Sequence, residues 1–145
     1  SLKLGMGVHA YITGADADAD TDGNAEVVAT VAAVLVDKDG KIVKCEIDTL
    51  DATVAFTSEG KAVAADGFKT KAELGSDYGM VAYAGAAFEW FEQAEGFAAY
   101  VTGKTPADVA GIAVDEGTKP TGADLAASVT IAIGGFQALI AKALA

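Results

Sequence analysis

Hydrophobic and polar positions alternate in the first half of the chain. Within Lys41–Leu50, Val43, Cys45 and Ile47 alternate with charged residues, and a period of two predicts a strand with one buried face. The run Glu26–Val36 is rich in Val and Ala, which is typical of a strand buried on both faces. These two runs predict a pair of neighbouring strands.

A turn and three further segments complete the predicted sheet. Asp37–Gly40 lies between the two runs and is typical of a hairpin turn in which Gly supplies a positive φ. We therefore expect the pair to be antiparallel. Shorter strands are predicted over residues 6–14, 53–57 and 62–64.

Helical periodicity dominates the second half. Residues 86–101 carry apolar side chains at steps of three and four: Ala87, Phe91, Ala94, Ala98 and Val101. Thr105 and Pro106 suit the cap and first position of a short helix. A brief helix is expected within residues 70–80. The last helix is predicted over residues 128–144, and its apolar face is Phe136, Leu139, Ile140, Ala143 and Leu144.

The order of these elements indicates the fold class. Strands come first and helices follow, which favours an antiparallel sheet covered on one face. We predict a single α+β domain over residues 1–145, with four to six strands and with the long helix and the C-terminal helix packed on one face.

Composition excludes several classes of protein. The formal charge is −11 and every basic residue is Lys, so the clustered cations of a nucleic-acid-binding protein are missing. No apolar run reaches the roughly 18 residues of a membrane span. The single Cys45 and single His9 exclude an internal disulfide and any site with several Cys or His ligands. The acidic, Ala-rich composition suits an exported bacterial protein, although many cytosolic proteins share it.

The segment Asp18-x-Asp20-x-Asp22-Gly23 matches the first half of a calcium-binding loop. The twelfth position, where such loops place a bidentate Glu, is Ala29. We therefore interpret the segment as an acidic loop, and calcium binding stays the less favoured alternative.

Other reactive residue types have ordinary structural interpretations. His9 has no Ser or Cys nucleophile at a recognisable spacing, so a hydrolytic triad has no support. Cys45 is expected to be a small buried side chain. The acidic residues at 89, 92 and 95 are expected on the wet face of the long helix. Trp90 and Phe91 are expected in the core rather than against a planar ligand.

One short segment points to a family. Asp124-Leu125-Ala126-Ala127-Ser128-Val129-Thr130 resembles the attachment motif of the FMN-binding domains of sodium-pumping NADH:quinone reductase, the Rnf complex and many exported bacterial lipoproteins. Asp124, Ala127 and Thr130 are in register, whereas Ser128 and Val129 stand where the motif has Gly and Ala. The hairpin with Asp39-Gly40-Lys41-Ile42 and the pair Trp90 and Gln93 agree with the family in order, so the similarity covers roughly residues 27–144.

The resemblance implies a cofactor and a location. In this family FMN is joined by a phosphoester to the motif threonine, here Thr130, at the start of a helix where free N–H groups favour a phosphate. It implies an extracytoplasmic, cell-surface or lipoprotein domain with a redox partner. In a second register, with Thr121-Gly122-Ala123 matched instead, Asp124 takes the threonine position and attachment is abolished.

The sequence is compatible with two functions. The first is an FMN-binding, electron-transfer domain that uses Asp124, Ser128, Val129 and Thr130. The second is a flavin-free surface binding or scaffold module that keeps only the fold. Ser128 and Val129 favour loss of the flavin, and retention of Asp124 and Thr130 favours its use.

Overall fold

The computed structural model describes residues 1–63, 65 and 67–145, and its strands form one antiparallel sheet in the order β1-β2-β3. The strand bounds are β1 Lys3–Ala15, β2 Gly23–Val36 and β3 Ile42–Phe56. The Asp37 carboxylate accepts the amides of Asp39 and Lys41 at 2.9 and 3.0 Å. These bonds close the predicted hairpin turn, so the antiparallel pairing of β2 with β3 is confirmed.

The sheet has fewer strands than predicted because two predicted strands are one. The segments 41–50 and 53–57 are continuous in β3. The predicted strand 62–64 contributes one bridge, from Ala62 to Phe56, and Ala64 lies outside the described residues. The prediction that Val43 lies on the buried face with Cys45 and Ile47 is also wrong. The register shifts beside it, so it is the extra residue of a bulge and stays 44% exposed, while Cys45 and Ile47 are buried.

Six α-helices follow the sheet in the described part of the chain. A 3₁₀ turn, Gly75–Tyr78, lies between the first two. The bounds of the six α-helices are α1 Lys71–Leu74, α2 Met80–Ala84, α3 Trp90–Val101, α4 Pro106–Ala110, α5 Ala123–Ala126 and α6 Gly134–Ala143. The predicted cap of α4 is confirmed, because Thr105 Oγ1 accepts the Asp108 amide at 3.2 Å while the Asp108 carboxylate accepts the Thr105 amide at 3.0 Å.

Both long helices cover the same face of the sheet, as the α+β prediction requires. Helix α3 packs on β3, and α6 packs on β1 and β2. Gly5 and Gly7 allow this approach. A Cβ on Gly7 would lie 2.7 Å from the Leu139 carbonyl oxygen, and one on Gly5 would overlap the Ala143 carbonyl. The buried core consists of Ala32, Val34, Val36, Ile42, Cys45, Ile47, Trp90, Ala94, Phe97, Val101, Val109, Leu125, Val129, Ile133, Phe136, Leu139 and Ile140.

The two long helices, α3 and α6, start later than the sequence pattern predicts. Helix α3 begins at Trp90 rather than at residue 86. The Glu92 carboxylate accepts the Glu89 amide at 2.8 Å and so caps the helix at this later start. Its buried stripe is rotated and includes Trp90, Gln93 and Phe97. The Phe136 ring of α6 contacts the Phe97 and Trp90 rings, with centroids 5.3 and 6.2 Å apart. These aromatic contacts join the two helices over the sheet.

Candidate functional site

Gln93 contacts the end of the segment from Asp124 to Thr130, which is called the motif below. Its side chain is fully buried on α3, and its Oε1 accepts three hydrogen bonds. The donors are the Thr130 amide at 2.8 Å, the Ile131 amide at 3.0 Å and the Thr130 hydroxyl at 3.3 Å. Its Nε2 donates to the Phe88 carbonyl at 3.1 Å. The Gln93 Oε1 therefore fixes the backbone at the end of the motif, and its Nε2 fixes the segment that precedes α3.

The motif residues point in different directions. The Val129 side chain is fully buried and the Thr130 side chain is exposed. Neither Ser128 nor Val129 has a positive φ, so the backbone here does not require glycine. Gly96 on α3 allows the close approach, because a Cβ there would lie 3.2 Å from Ser128 Oγ and 3.4 Å from Val129 Cγ2. The bulk of Val129 is thus directed into the core.

Asp124 lies in the short helix α5, beside the C-terminal end of α3. Its Oδ1 accepts the Leu125 amide at 2.9 Å. Burial, and then the neighbouring Asp124 carboxylate, raise the pKa of Tyr100. Lys104 lies over the Tyr100 ring at 4.3 Å from the centroid. Asp124 is therefore part of a polar surface cluster with residues of α3 and the turn after it.

The expected position of Thr130 at a helix N-terminus is wrong. Thr130 precedes the first residue of α6, Gly134, by four positions. Thr118 caps the helix instead: its Oγ1 accepts the Gly134 amide at 3.2 Å, and its carbonyl accepts the Ile133 amide at 2.9 Å. Thr118 has a φ of 61°, a conformation uncommon for a β-branched residue. The segment between Thr130 and α6 is irregular because its amides are taken by Gln93 and Thr118.

Glu89 is a second buried polar side chain on α3, and the expectation that it lies on the wet face is wrong. It is 7% exposed, whereas Glu92 and Glu95 are exposed as predicted. Its carboxylate accepts the amides of Met80 and Val81 at 3.1 and 3.2 Å. Glu89 and Gln93 are one helical turn apart, so α3 fixes two separate loops from one face. The spacing of four residues between Glu89 and Gln93 was the sequence signal that could have placed both side chains on the same face of α3.

Comparison with known proteins gives one partial similarity. The chain is 39% identical over 93 residues to chlorophenol reductase of Desulfitobacterium hafniense. The alignment covers 55% of this chain and 28% of that protein, so the chain spans less than a third of the length of this relative. No model of a protein family matches the chain. No solved structure matches it significantly.

A groove of about 300 Å³ runs between β3 and α3, on the side of α3 away from the motif. Cys45, Trp90, Phe91 and Glu95 are among its lining residues, and none of the four motif residues lines it. Burial raises the pKa of Cys45 to about 11, so its thiol is protonated and a poor nucleophile at neutral pH. The prediction of a buried Cys45 is confirmed.

The remaining sequence candidates lie apart from the motif. The Asp18 carboxylate accepts the amides of Asp20 and Thr21 at 2.9 and 2.8 Å, which closes the loop between β1 and β2. Among the described residues, no group of three or more acidic, His or Cys side chains is arranged to hold a metal ion. His9 is exposed and its ring centroid lies 6.4 Å from that of Tyr11. No described helix combines the length and apolar character needed to cross a membrane.

Proposed function

We propose that this chain is a flavin-carrying electron-transfer domain in which FMN is attached through a phosphoester to Thr130. The observation that carries the proposal is the exposed side chain of Thr130 on a backbone held rigidly by Gln93. A transferase must reach the hydroxyl, and the exposed position favours that access once the hydroxyl releases its 3.3 Å hydrogen bond to Gln93 Oε1. A fixed backbone then limits the positions that an attached group can adopt.

The residues that replace the family's Gly and Ala are compatible with attachment. Val129 is directed into the core, so its bulk does not lie on the exposed side of the chain with Thr130. Ser128 and Val129 adopt negative φ values that any residue tolerates. FMN would supply the redox chemistry, Thr130 would anchor it and Asp124 would help to orient it, while Gln93 would act only by holding the Thr130 backbone in place.

The similarity to a protein named chlorophenol reductase supports a redox role in general terms. The chain spans 28% of that relative's length, so the proposal extends to redox chemistry in general and not to the relative's substrate. A domain of this kind needs a redox partner that delivers or removes electrons. The acidic, Ala-rich composition agrees with our further proposal that the domain works outside the cytoplasm, at the cell surface or as part of a lipoprotein.

A flavin-free binding or scaffold module is the second candidate, and one observation favours it. The amides of Thr130 and Ile131 are both bonded to Gln93. They are therefore not free to bind a phosphate, although free N–H groups are the usual ligands for phosphate at such segments. In this alternative the Gln93 contacts serve only to stabilise the fold.

Co-expression of the exported chain with a bacterial FMN transferase tests the first proposal. We expect flavin fluorescence in a denaturing gel and an intact mass increased by one attached FMN. Thr130→Ala should abolish both signals. Thr121→Ala is the matched control, because Thr121 is also exposed and lies just before the motif.

The negative result is equally informative. If the wild type stays dark while the transferase modifies a known substrate in the same cells, covalent attachment is ruled out. Titration with free FMN then decides between non-covalent binding and the flavin-free module. Attachment that persists in Thr130→Ala would move the anchor to another residue and contradict the site.

A further inference from the structure

The face of the sheet opposite α3 and α6 is apolar and uncovered along β1 and β2. We call it the outer face, and it is formed by alternate residues of β1 and β2: Leu4, Met6, Val8, Ala10, Ile12, Gly14, Ala25, Val27, Ala29, Val31, Ala33 and Leu35. Its large side chains include Ile12 at 76%, Leu4 at 69% and Met6 at 67% exposed. Scattered exposed apolar residues are normal, but a contiguous patch marks an interaction surface.

The size of the outer face matches a protein–protein interface. The outer face together with its rim on β3 spans three strands of 13 to 15 residues, which cover roughly 600 Å² in plan at the usual strand rise and spacing. The protruding side chains raise the accessible area above this value. A stable interface needs roughly 800 Å² from each partner, so the outer face is about large enough for one.

The side chains of β2 alternate in size in a way that is complementary to itself. Along the outer face of β2, alanines at 25, 29 and 33 alternate with larger residues at 27, 31 and 35. A two-fold axis that crosses the strand between Ala29 and Val31 places each alanine opposite a larger side chain of the second copy. The facing pairs are then Ala29 with Val31, Ala33 with Val27, and Ala25 with Leu35. Such interdigitation is how two sheets pack face to face.

We propose that the outer face binds a second copy of this chain and forms a symmetric homodimer by sheet-on-sheet packing. The two-fold symmetry makes one patch complementary to its own copy. The charged residues of β3 on this side, Lys44, Glu46 and Asp48, follow one edge of the sheet and lie at the rim of the interface. Lys44 and Glu46 form an ion pair at 3.2 Å within one copy.

The charge of the chain distinguishes a second copy from a cationic partner, because the two complexes respond to salt in opposite ways. Two copies that each carry −11 repel one another, while the interface itself is nearly uncharged. Added salt screens this repulsion and strengthens hydrophobic association. The homodimer should therefore tighten as salt rises, whereas a complex with a cationic partner would weaken.

Sedimentation equilibrium and light scattering over a concentration series test the proposal. The wild type should reach twice the 14.5 kDa mass of the chain, at lower concentration in high salt. Ile12→Lys introduces two unpaired charges per dimer and should weaken dimerisation about 100-fold or more. Tyr83→Lys is the matched control, because Tyr83 is 90% exposed on α2, a helix whose first amides are bonded to Glu89 at the start of α3, on the covered side of the sheet. Circular dichroism verifies that each variant is folded.

Ala29→Trp separates a specific dimer from general stickiness. A bulky apolar side chain at the two-fold axis blocks the close approach of the sheets, so it should abolish the dimer. Non-specific hydrophobic association would instead grow stronger with Trp, and that outcome overturns the proposal. A wild type that stays monomeric throughout the series, or a dimer unaffected by Ile12→Lys, overturns it as well.

Discussion

Replacement of Gln93 by Leu tests the structural centre of the candidate site. Leu is similar in size but removes both polar atoms, so the packing around α3 is largely kept. The Thr130 and Ile131 amides lose their shared acceptor, and the Phe88 carbonyl loses its donor. Each buried group left unpaired costs about 1–3 kcal/mol. Water can reach exposed Thr130 and lowers its share of this cost.

We therefore expect the free energy of unfolding to fall by about 2–4 kcal/mol, a large part of the roughly 5–15 kcal/mol typical of a domain. Urea titration followed by Trp90 fluorescence measures this change, because Trp90 is the only Trp and is 6% exposed. Hydrogen exchange at the Thr130 and Ile131 amides should accelerate by more than the global loss explains. Gln137→Leu is the matched control.

The Gln137 side chain donates to the Val109 carbonyl at 2.9 Å and holds no motif amide. Its replacement should cost only about 1 kcal/mol and leave exchange at Thr130 at the rate set by global stability. The reasoning is refuted if Gln93→Leu costs no more than Gln137→Leu. Unchanged exchange at Thr130 and Ile131 in Gln93→Leu would refute it too.

Three further predictions concern packing and pH. Gly7→Ala should lower the free energy of unfolding by about 1–3 kcal/mol, because the added Cβ meets a backbone carbonyl of α6. Gly135→Ala should raise the free energy of unfolding by about 0.5–1 kcal/mol, because its added Cβ meets open space. Chemical denaturation measures both changes. Burial raises the pKa of Cys45 from 9.0 to about 11, so stability should fall as pH rises through this range, and Cys45→Val should remove that part of the pH dependence in thermal melts. Hydrogen bonds from the Thr105 amide and hydroxyl lower the pKa of Asp108 below 3.8, so the stability that the ionised carboxylate contributes above that pH is lost as the carboxylate protonates. In a series of thermal melts at acidic pH, the stability of Asp108→Ala should decline less steeply than that of the wild type. An equal decline in both proteins contradicts the assignment.

Local patterns were sufficient where neighbouring residues decide the structure. The turn at Asp37–Gly40 depends on the Asp37 side chain and the amides that directly follow it. The cap of α4 depends on Thr105, Pro106 and Asp108. These contacts span four residues or fewer, so the sequence alone determined them, and the order of strands and helices determined the α+β class.

Long-range contacts decided the rest. The pattern of apolar residues placed the start of α6 six residues too early, because the amides of Ile131 and Gly134 are bonded to Gln93 and Thr118, which lie 38 and 16 residues away in the chain. The same contacts removed Thr130 from a helix N-terminus and directed Val129 into the core. The sequence by itself supplied Asp124 and Thr130 as candidates. Only the packing of α3 against their segment determined which side chain is buried and which is accessible, because that packing depends on residues that are distant in the chain.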